Sequence, residues 1–130
     1  MRYNITRIHK IVDHNLLQIY TDYYHPDGDM IQIYLEPTDN GKYNIFIDLF
    51  NIDANEGLLT EDFGIEEIFK QFETDQLNDI ICNNQCIYSN DKCLYYYKSV
   101  GYCEIIDVVN NLIQCHKQIV IYLKNKITEK

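Results

Sequence analysis

The chain has 130 residues, 46% of them hydrophobic, which is enough apolar surface for one folded domain and too much for a disordered chain. No apolar run approaches the roughly 20 residues that span a bilayer, and no secretion-signal segment follows the charged N-terminus. With a net charge of −9, these features argue against a membrane or nucleic-acid-binding protein, so we expect a single domain over residues 1–130 in the cytoplasm, that of a host cell if a phage encodes it.

Apolar residues near the N-terminus recur every three or four positions. They are Ile5, Ile8, Val12 and Leu16. This is the spacing of one helix face, and Asn4 is a suitable N-cap. We therefore predict a short helix within residues 4–15.

Three strands follow, in which apolar and polar side chains alternate. They are Leu17–Tyr23, Met30–Glu36 and Tyr43–Asp48. Alternation at period two is typical of half-buried antiparallel strands. Gly28 and Gly41 supply the positive φ angles that tight turns need. The sequence therefore predicts a three-stranded meander with one apolar face and one face of tyrosines, amides and carboxylates.

Two helices are predicted after the meander. A loop over residues 49–59 leads into a helix from about Thr60 to Phe72, where apolar residues recur at helical spacing and acidic residues follow the N-cap. Thr74 is a second N-cap, and the short helix that it begins includes Leu77, Ile80 and Ile81.

A second hairpin and a long helix come next. Ile87-Tyr88 and Lys92–Lys98 flank a turn, which is the pattern of two short antiparallel strands. Tyr102 to Lys126 forms a long amphipathic helix with His116 on its apolar stripe as a core residue. The predicted fold class is α+β, a three-stranded antiparallel meander plus a second small hairpin, packed with two or three helices that include the long C-terminal one.

The cysteine and histidine positions do not predict a metal or cofactor site. Only Cys82 and Cys86 approach the spacing of paired zinc ligands. An odd number of cysteines, five, without a secretion signal indicates reduced thiols, which we expect to pack as small apolar side chains. Cys115 and His116 are neighbours that point in different directions from a helix, so they form no catalytic pair. We therefore expect no metal and no cofactor.

Catalysis is not indicated either. Asp27, Asp29 and Glu36 lie near a predicted hairpin, as the carboxylates of metal-dependent nucleases do. The lysine that usually completes such a site is missing, and the surrounding negative charge would repel a polyanionic substrate. We expect no enzymatic activity, and the alternative is a metal-dependent nuclease or a thiol enzyme.

Negative charge is concentrated in the middle of the chain. Residues 13–79 contain 16 of the 20 acidic side chains and two basic ones, a net charge of −14. Spaced carboxylates can attract a cationic protein surface, and tyrosines are enriched in binding interfaces. The predicted partner-binding residues lie on the polar face and turns of the meander: Tyr20, Asp22, Asp27, Asp29, Tyr34, Glu36, Asp39 and Asp48. The alternative is that this face is only the solvated side of a sheet.

The meander also resembles a known family. Tyr23–Leu35 followed by Asn40–Asp48 is similar to a small bacterial and prophage domain of unknown function, whose motif is an aromatic strand, a G-D turn, an I-x-I-Y strand and a dG-x-Y-x-I-x-D strand. That family usually continues with Asp-Asp-Gly or Asn-Gly, whereas Leu49-Phe50-Asn51 follows here, so this turn differs. The resemblance implies an α+β fold and a mobile-element setting, and it carries no activity.

These features favour a small acidic protein-binding module. Its expected partner is a basic protein, such as a host defence nuclease or a nucleoprotein complex. The module would cover the nucleic-acid-binding surface of this partner and so inhibit it. By analogy this is the role of anti-CRISPR proteins, with no direct nucleic-acid binding and no membrane. The alternative is a homodimeric structural or regulatory module, in which apolar residues outside the stripe of the long helix pair with a second copy. These residues are Tyr102, Val108, Ile121 and Tyr122.

Overall fold

Six strands and two helices form the part of the chain that the computed structural model describes, residues 2–11, 15–23, 33–48, 74–89 and 94–128. The strands are β1 (Ile5–Ile11), β2 (Leu16–Thr21), β3 (Ile33–Pro37), β4 (Tyr43–Asp48), β5 (Ile87–Ser89) and β6 (Leu94–Val100). The helices are α1 (Asp75–Asn83) and α2 (Ile105–Thr128), and a 3-10 turn at Tyr102–Glu104 precedes α2. The predicted α+β class is confirmed. The predicted loop over 49–59 and the helix from Thr60 to Phe72 lie outside the described residues.

All six strands belong to one antiparallel sheet, in the order β1-β2-β3-β4-β6-β5. The predicted meander is confirmed as β2, β3 and β4, with Leu35 paired to Leu17 on one side and to Ile45 on the other. The second hairpin is confirmed as β5 and β6. This hairpin is not a separate unit, because β6 pairs with β4 and so extends the same sheet.

The short N-terminal helix that the apolar spacing predicts is wrong, because Ile5–Ile11 is the edge strand β1. Its pairing with β2 shifts by one residue just after Ile5, which is a β-bulge. Ile5 lies opposite Thr21, and Ile8 lies opposite Ile19. Thr21 and Ile19 share one face of β2, so the bulge also puts Ile5 and Ile8 on one face. Residues three positions apart therefore share a side here without any helix.

One face of the sheet packs against α2 and forms the main core. Buried side chains of α2 recur at helical spacing and meet apolar residues of the central strands. This core includes Ile19, Ile33, Leu35, Ile45, Ile47, Val109, Leu112, Ile113 and Ile119. His116 is buried in the same helix, as predicted. Each fully buried Leu or Ile side chain stabilises the fold by about 1.5–3 kcal/mol, so this layer carries most of the stability.

Both ends of α1 are capped. The Thr74 hydroxyl accepts a hydrogen bond from the Leu77 backbone N–H at 3.4 Å, which confirms the predicted N-cap. At the other end Gln85 adopts a positive φ of 61°. The backbone N–H groups of Gln85 and Cys86 donate to carbonyls in the last turn of α1 at 2.9 and 3.0 Å, which is a Schellman motif. This motif fixes the backbone position of Cys86.

The residues before β1 are attached to α2. The Asn110 side chain accepts a hydrogen bond from the Tyr3 backbone N–H at 2.6 Å and donates one to the Tyr3 carbonyl at 3.0 Å. Lys117 Nζ donates to the Tyr3 hydroxyl at 3.2 Å, and Arg2 forms an ion pair with Asp107 at 2.7 Å. These contacts hold the entry to the edge strand against the helix.

Candidate protein-binding surface

The predicted polar face of the meander contains a row of residues that crosses the sheet. Gln18 lies opposite Tyr34, and Tyr34 lies opposite Phe46. All three are buried, and Tyr34 is only 1% exposed. The Tyr34 and Phe46 rings stack with centroids 5.5 Å apart, and Ile11 and Leu16 pack beside them. The expectation that Tyr34 is exposed to a partner is therefore wrong, because the centre of this face is a second apolar cluster.

Tyr20 lies at the margin of this face and is half-buried. Arg7 is its partner on β1, and the guanidinium carbon of Arg7 lies 4.3 Å from the centroid of the Tyr20 ring. A cation over an aromatic ring is worth about 0.5–1 kcal/mol at an exposed site. One ring face of Tyr20 is therefore occupied by a cation of the same chain.

Asp22 is exposed just after β2. Its Oδ1 accepts a hydrogen bond from the Asn4 backbone N–H at 2.7 Å, and its Oδ2 accepts one from the Asn4 side-chain amide at 3.2 Å. The Asp22 backbone N–H donates back to the Asn4 carbonyl at 3.1 Å. Both carboxylate oxygens are thus held by uncharged donors, which fix the orientation of the group.

Glu36 and Asp39 are exposed near the turn between β3 and β4. The Asn44 amide donates to Glu36 Oε1 at 3.0 Å, and Asn44 Oδ1 accepts from the Ser99 N–H at 3.1 Å. Gly41 adopts φ 77°, the positive angle that the sequence predicts for this turn. Glu36 therefore resembles Asp22 in being positioned by an uncharged amide.

The predicted carboxylates do not converge on one site. Asp22 lies at one end of the sheet and Glu36 at the other, since β2 and β3 are antiparallel. Asp48 ends β4 on the same side as Asp22. Asp27 and Asp29 lie outside the described residues. The described carboxylates of the predicted set therefore lie in two groups, at opposite ends of the strands.

Among the described residues, no cation forms an ion pair with Asp22 or Glu36. Between residues that the structure describes, the ion pair is Arg2 with Asp107. The carboxylates of Asp22 and Glu36 bond to asparagine amides instead. Their charge therefore remains available to an external cation.

The apolar residues predicted for a homodimer are partly covered. Val108 is buried, and Tyr122 packs half-buried against the main core. Tyr102 and Ile121 are exposed. Because they lie near opposite ends of α2, these two side chains do not form a contiguous apolar patch.

A half-buried polar cluster lies between β6, α2 and the end of α1. The Tyr97 hydroxyl donates a hydrogen bond to the Asn84 carbonyl and accepts one from the Asn111 amide at 3.1 Å. The Cys86 thiol lies beside it and donates to the same Asn84 carbonyl at 3.6 Å. The sequence gives no signal for this cluster, because its members come from separate elements and follow no common spacing.

The cysteines divide into two environments. Cys86 and Cys115 are buried, as predicted for small apolar side chains. Cys82 and Cys103 are exposed, so the same expectation is wrong for them. Cys93 lies outside the described residues.

Tyr97 is expected to make stability fall at alkaline pH. Burial, followed by the charge on Cys86, raises the pKa of Tyr97 from 10.0 to about 12. The folded chain therefore holds this proton more tightly than the unfolded chain, and the resulting stability is lost as the pH rises from 10 towards 12. Tyr97→Phe has no phenol to ionise, so its stability lacks this alkaline decrease. It also lacks the two hydrogen bonds of the hydroxyl, and their absence should lower the free energy of unfolding by about 1–2 kcal/mol at neutral pH.

Urea unfolding of both proteins at several pH values checks this expectation. The stability advantage of the wild type over Tyr97→Phe should shrink steadily above pH 10, where the free phenol ionises. The comparison cancels the other tyrosines, which both proteins share. A difference that stays constant up to pH 12 would contradict the assigned environment.

Comparison with protein-family models, with curated proteins and with solved structures gives no significant match to this chain. The resemblance to a prophage domain therefore stays a prediction. Within the described ranges, no three His, Cys, Asp or Glu side chains are placed to hold a metal ion. Of α1 and α2, neither has the length and apolar character needed to cross a membrane.

Proposed function

We propose that this protein binds a cationic surface of a partner protein through exposed carboxylates at the ends of its strands. The proposed partner is a nuclease or a nucleoprotein complex, whose nucleic-acid-binding surface is covered and inhibited in the manner of an anti-CRISPR protein. The observation that supports this proposal is the fixing of Asp22 and Glu36 by asparagine amides, with no ion pair to either carboxylate among the described residues.

Fixed carboxylates suit the recognition of a surface that normally binds phosphates. A phosphate-binding surface presents spaced Arg and Lys side chains, and a partner gains by presenting acceptors in a fixed arrangement. Asp22 loses little side-chain freedom on binding, because both of its oxygens are already held by Asn4. The excess of acidic residues over 13–79 adds a long-range attraction that speeds encounter.

Because the row of Gln18, Tyr34 and Phe46 is buried, the proposed interface depends on charge and not on aromatic contact area. Tyr34 and Phe46 contribute no contact area to a partner, because they pack against each other inside the protein. Exposed charges at the strand ends mainly affect the association rate and the dependence on salt. We therefore expect binding that weakens strongly as ionic strength rises.

A charge-neutral variant tests the proposal. Asp22→Asn, Glu36→Gln and Asp39→Asn together preserve the shapes of three exposed side chains and remove three charges. The matched control is Lys10→Gln with Lys42→Gln, which neutralises two exposed cations of the same sheet. Each tagged protein is used for affinity capture from bacterial lysate, followed by DNA-binding assays on any purified nuclease that is recovered.

The wild type should recover a nucleic-acid-binding protein and reduce its DNA binding. The charge-neutral variant should bind roughly tenfold more weakly, as expected from about 0.5 kcal/mol per exposed pair, while the lysine control should bind as well as the wild type or better. Equal binding by both variants, insensitivity to salt, or recovery of no nucleic-acid-binding protein would reject the proposal.

A further inference from the structure

Strand β1 lies at one edge of the sheet and has a described strand on one side only. In the order β1-β2-β3-β4-β6-β5 its neighbour is β2. In an edge strand, alternate backbone N–H and C=O groups turn away from the neighbouring strand, where another extended chain can pair with them. The other edge, β5, has three residues, whereas β1 has seven. Strand β1 is therefore the edge that is long enough to accept a further strand.

The second half of β1 is regular and uncovered. After the bulge, consecutive residues pair with β2 in unbroken register, from Arg7 opposite Tyr20 to Ile11 opposite Leu16. All residues between Ile5 and Ile11 are exposed, and successive side chains of a strand point to opposite faces. Neither face of β1 is therefore covered along this stretch.

Ile8 marks the place where the helix layer ends. It lies opposite Ile19, which is 0% exposed in the core between the sheet and α2, yet Ile8 itself is 51% exposed. The core beneath α2 thus includes β2 and stops short of the middle of β1. A strand added beside β1 would bring a side chain next to Ile8, and an aliphatic one would remove apolar surface of both from water.

The same edge is basic, in a chain whose net charge is −9. Strand β1 contains Arg7 and Lys10 and no acidic residue, and neither cation forms an ion pair among the described residues. The Tyr20 ring holds the Arg7 guanidinium carbon 4.3 Å from its centroid, while the N–H groups on the rim of a stacked guanidinium can still bind a carboxylate. Pairing β1 with the β1 of a second copy would add one cationic edge to another. The charge therefore disfavours self-pairing and favours an acidic strand.

We propose that β1 is a docking edge for an acidic, extended segment of a partner protein, which adds to the sheet as a further strand. Backbone hydrogen bonds along residues 7–11 supply the affinity, and cross-strand side chains select the sequence. The segment carries Glu or Asp opposite Arg7 and Lys10 and an aliphatic residue opposite Ile8. This edge is independent of the proposed function, which uses carboxylates at the ends of other strands and a partner of the opposite charge.

A synthetic peptide tests the proposal on the full chain. The probe is a fluorescent peptide of about eight residues, a usual strand length, with glutamate opposite Arg7 and Lys10, valine opposite Ile8 and threonine elsewhere. One control peptide has lysine in place of each glutamate. A second has the acidic sequence with its backbone nitrogens methylated, which removes its hydrogen-bond donors. Fluorescence anisotropy measures binding, and amide hydrogen exchange locates it.

The acidic peptide should bind at least tenfold more tightly than either control and should slow amide exchange at alternate residues of β1. Arg7→Gln with Lys10→Gln should weaken its binding roughly fivefold, as expected for two exposed charge pairs. The matched control, Lys42→Gln with Lys98→Gln, neutralises two exposed lysines near other strands and should change binding by less than about twofold.

The peptide comparison uses the wild-type chain, so it does not depend on the folding of a variant. Absence of binding, equal affinity for the acidic and lysine peptides, or undiminished binding of the methylated peptide would overturn the proposal. So would exchange protection that leaves β1 unchanged, dimerisation of the free chain through β1, or tighter binding of single-stranded DNA than of the acidic peptide at this edge.

Discussion

Replacing Tyr34 with alanine should lower the free energy of unfolding by roughly 3–5 kcal/mol. The side chain is 1% exposed and stacks on Phe46, so its removal leaves a cavity on the second face of the sheet. A domain of this kind is stable by only about 5–15 kcal/mol, and the variant should be close to unfolding at moderate temperature. Chemical denaturation followed by circular dichroism measures the change.

Tyr20→Ala is the matched control, because it removes the same side chain from a half-buried position on the same face. Its ring contacts Arg7 at the surface, so we expect a loss of about 1 kcal/mol or less. Similar losses at the two positions would show that Tyr34 is not buried in solution. In that case Tyr34 would be accessible, and the prediction that it contacts a partner would stand.

The second large effect is expected at Ile119 in α2, where alanine should cost about 2–5 kcal/mol. Ile119 is 0% exposed and packs in the main core, so the lost methyl groups leave a cavity between helix and sheet. Ile121, two residues further along, is 60% exposed. Ile121→Ala should therefore change stability by no more than about 0.5 kcal/mol.

This pair compares the same substitution on two sides of one helix. Helix propensity favours alanine over isoleucine equally at both positions, so the difference between the two variants isolates burial. Thermal or urea unfolding of the three proteins is sufficient. Equal costs for Ile119→Ala and Ile121→Ala would mean that α2 does not pack on the sheet through the face described.

Much of the sheet can be predicted from the sequence, because alternation and turn glycines act locally. The strand boundaries of β4 and the cap at Thr74 depend on neighbouring residues alone. The alternation pattern does not predict β1, because its pairing with β2 is irregular. Its bulge places Ile5 and Ile8 on one face, and an edge strand has too few buried side chains to show a period of two. The helical spacing therefore arises from one inserted residue.

At the candidate site, the sequence predicts which residues share a face of the sheet but not whether that face is buried. Alternation correctly groups Gln18, Tyr34 and Phe46 on one face, but burial of a face depends on what packs over it. A tyrosine serves equally well in a solvated strand and in an apolar cluster, so its position alone does not distinguish the two. The hydrogen bond between the Asn84 and Gln118 side chains is less predictable still, since it depends on the way the end of α1 meets α2.

The attachment of Tyr3 to Asn110 has a consequence for the nascent chain. The two residues are 107 positions apart, which takes a ribosome roughly 5–20 s to translate at ordinary rates. During this interval β1 can pair with β2, but its entry has no helix to dock on. An incompletely translated chain therefore exposes the apolar face of its sheet to other nascent chains, and crowded synthesis should favour aggregation until α2 emerges and covers that face.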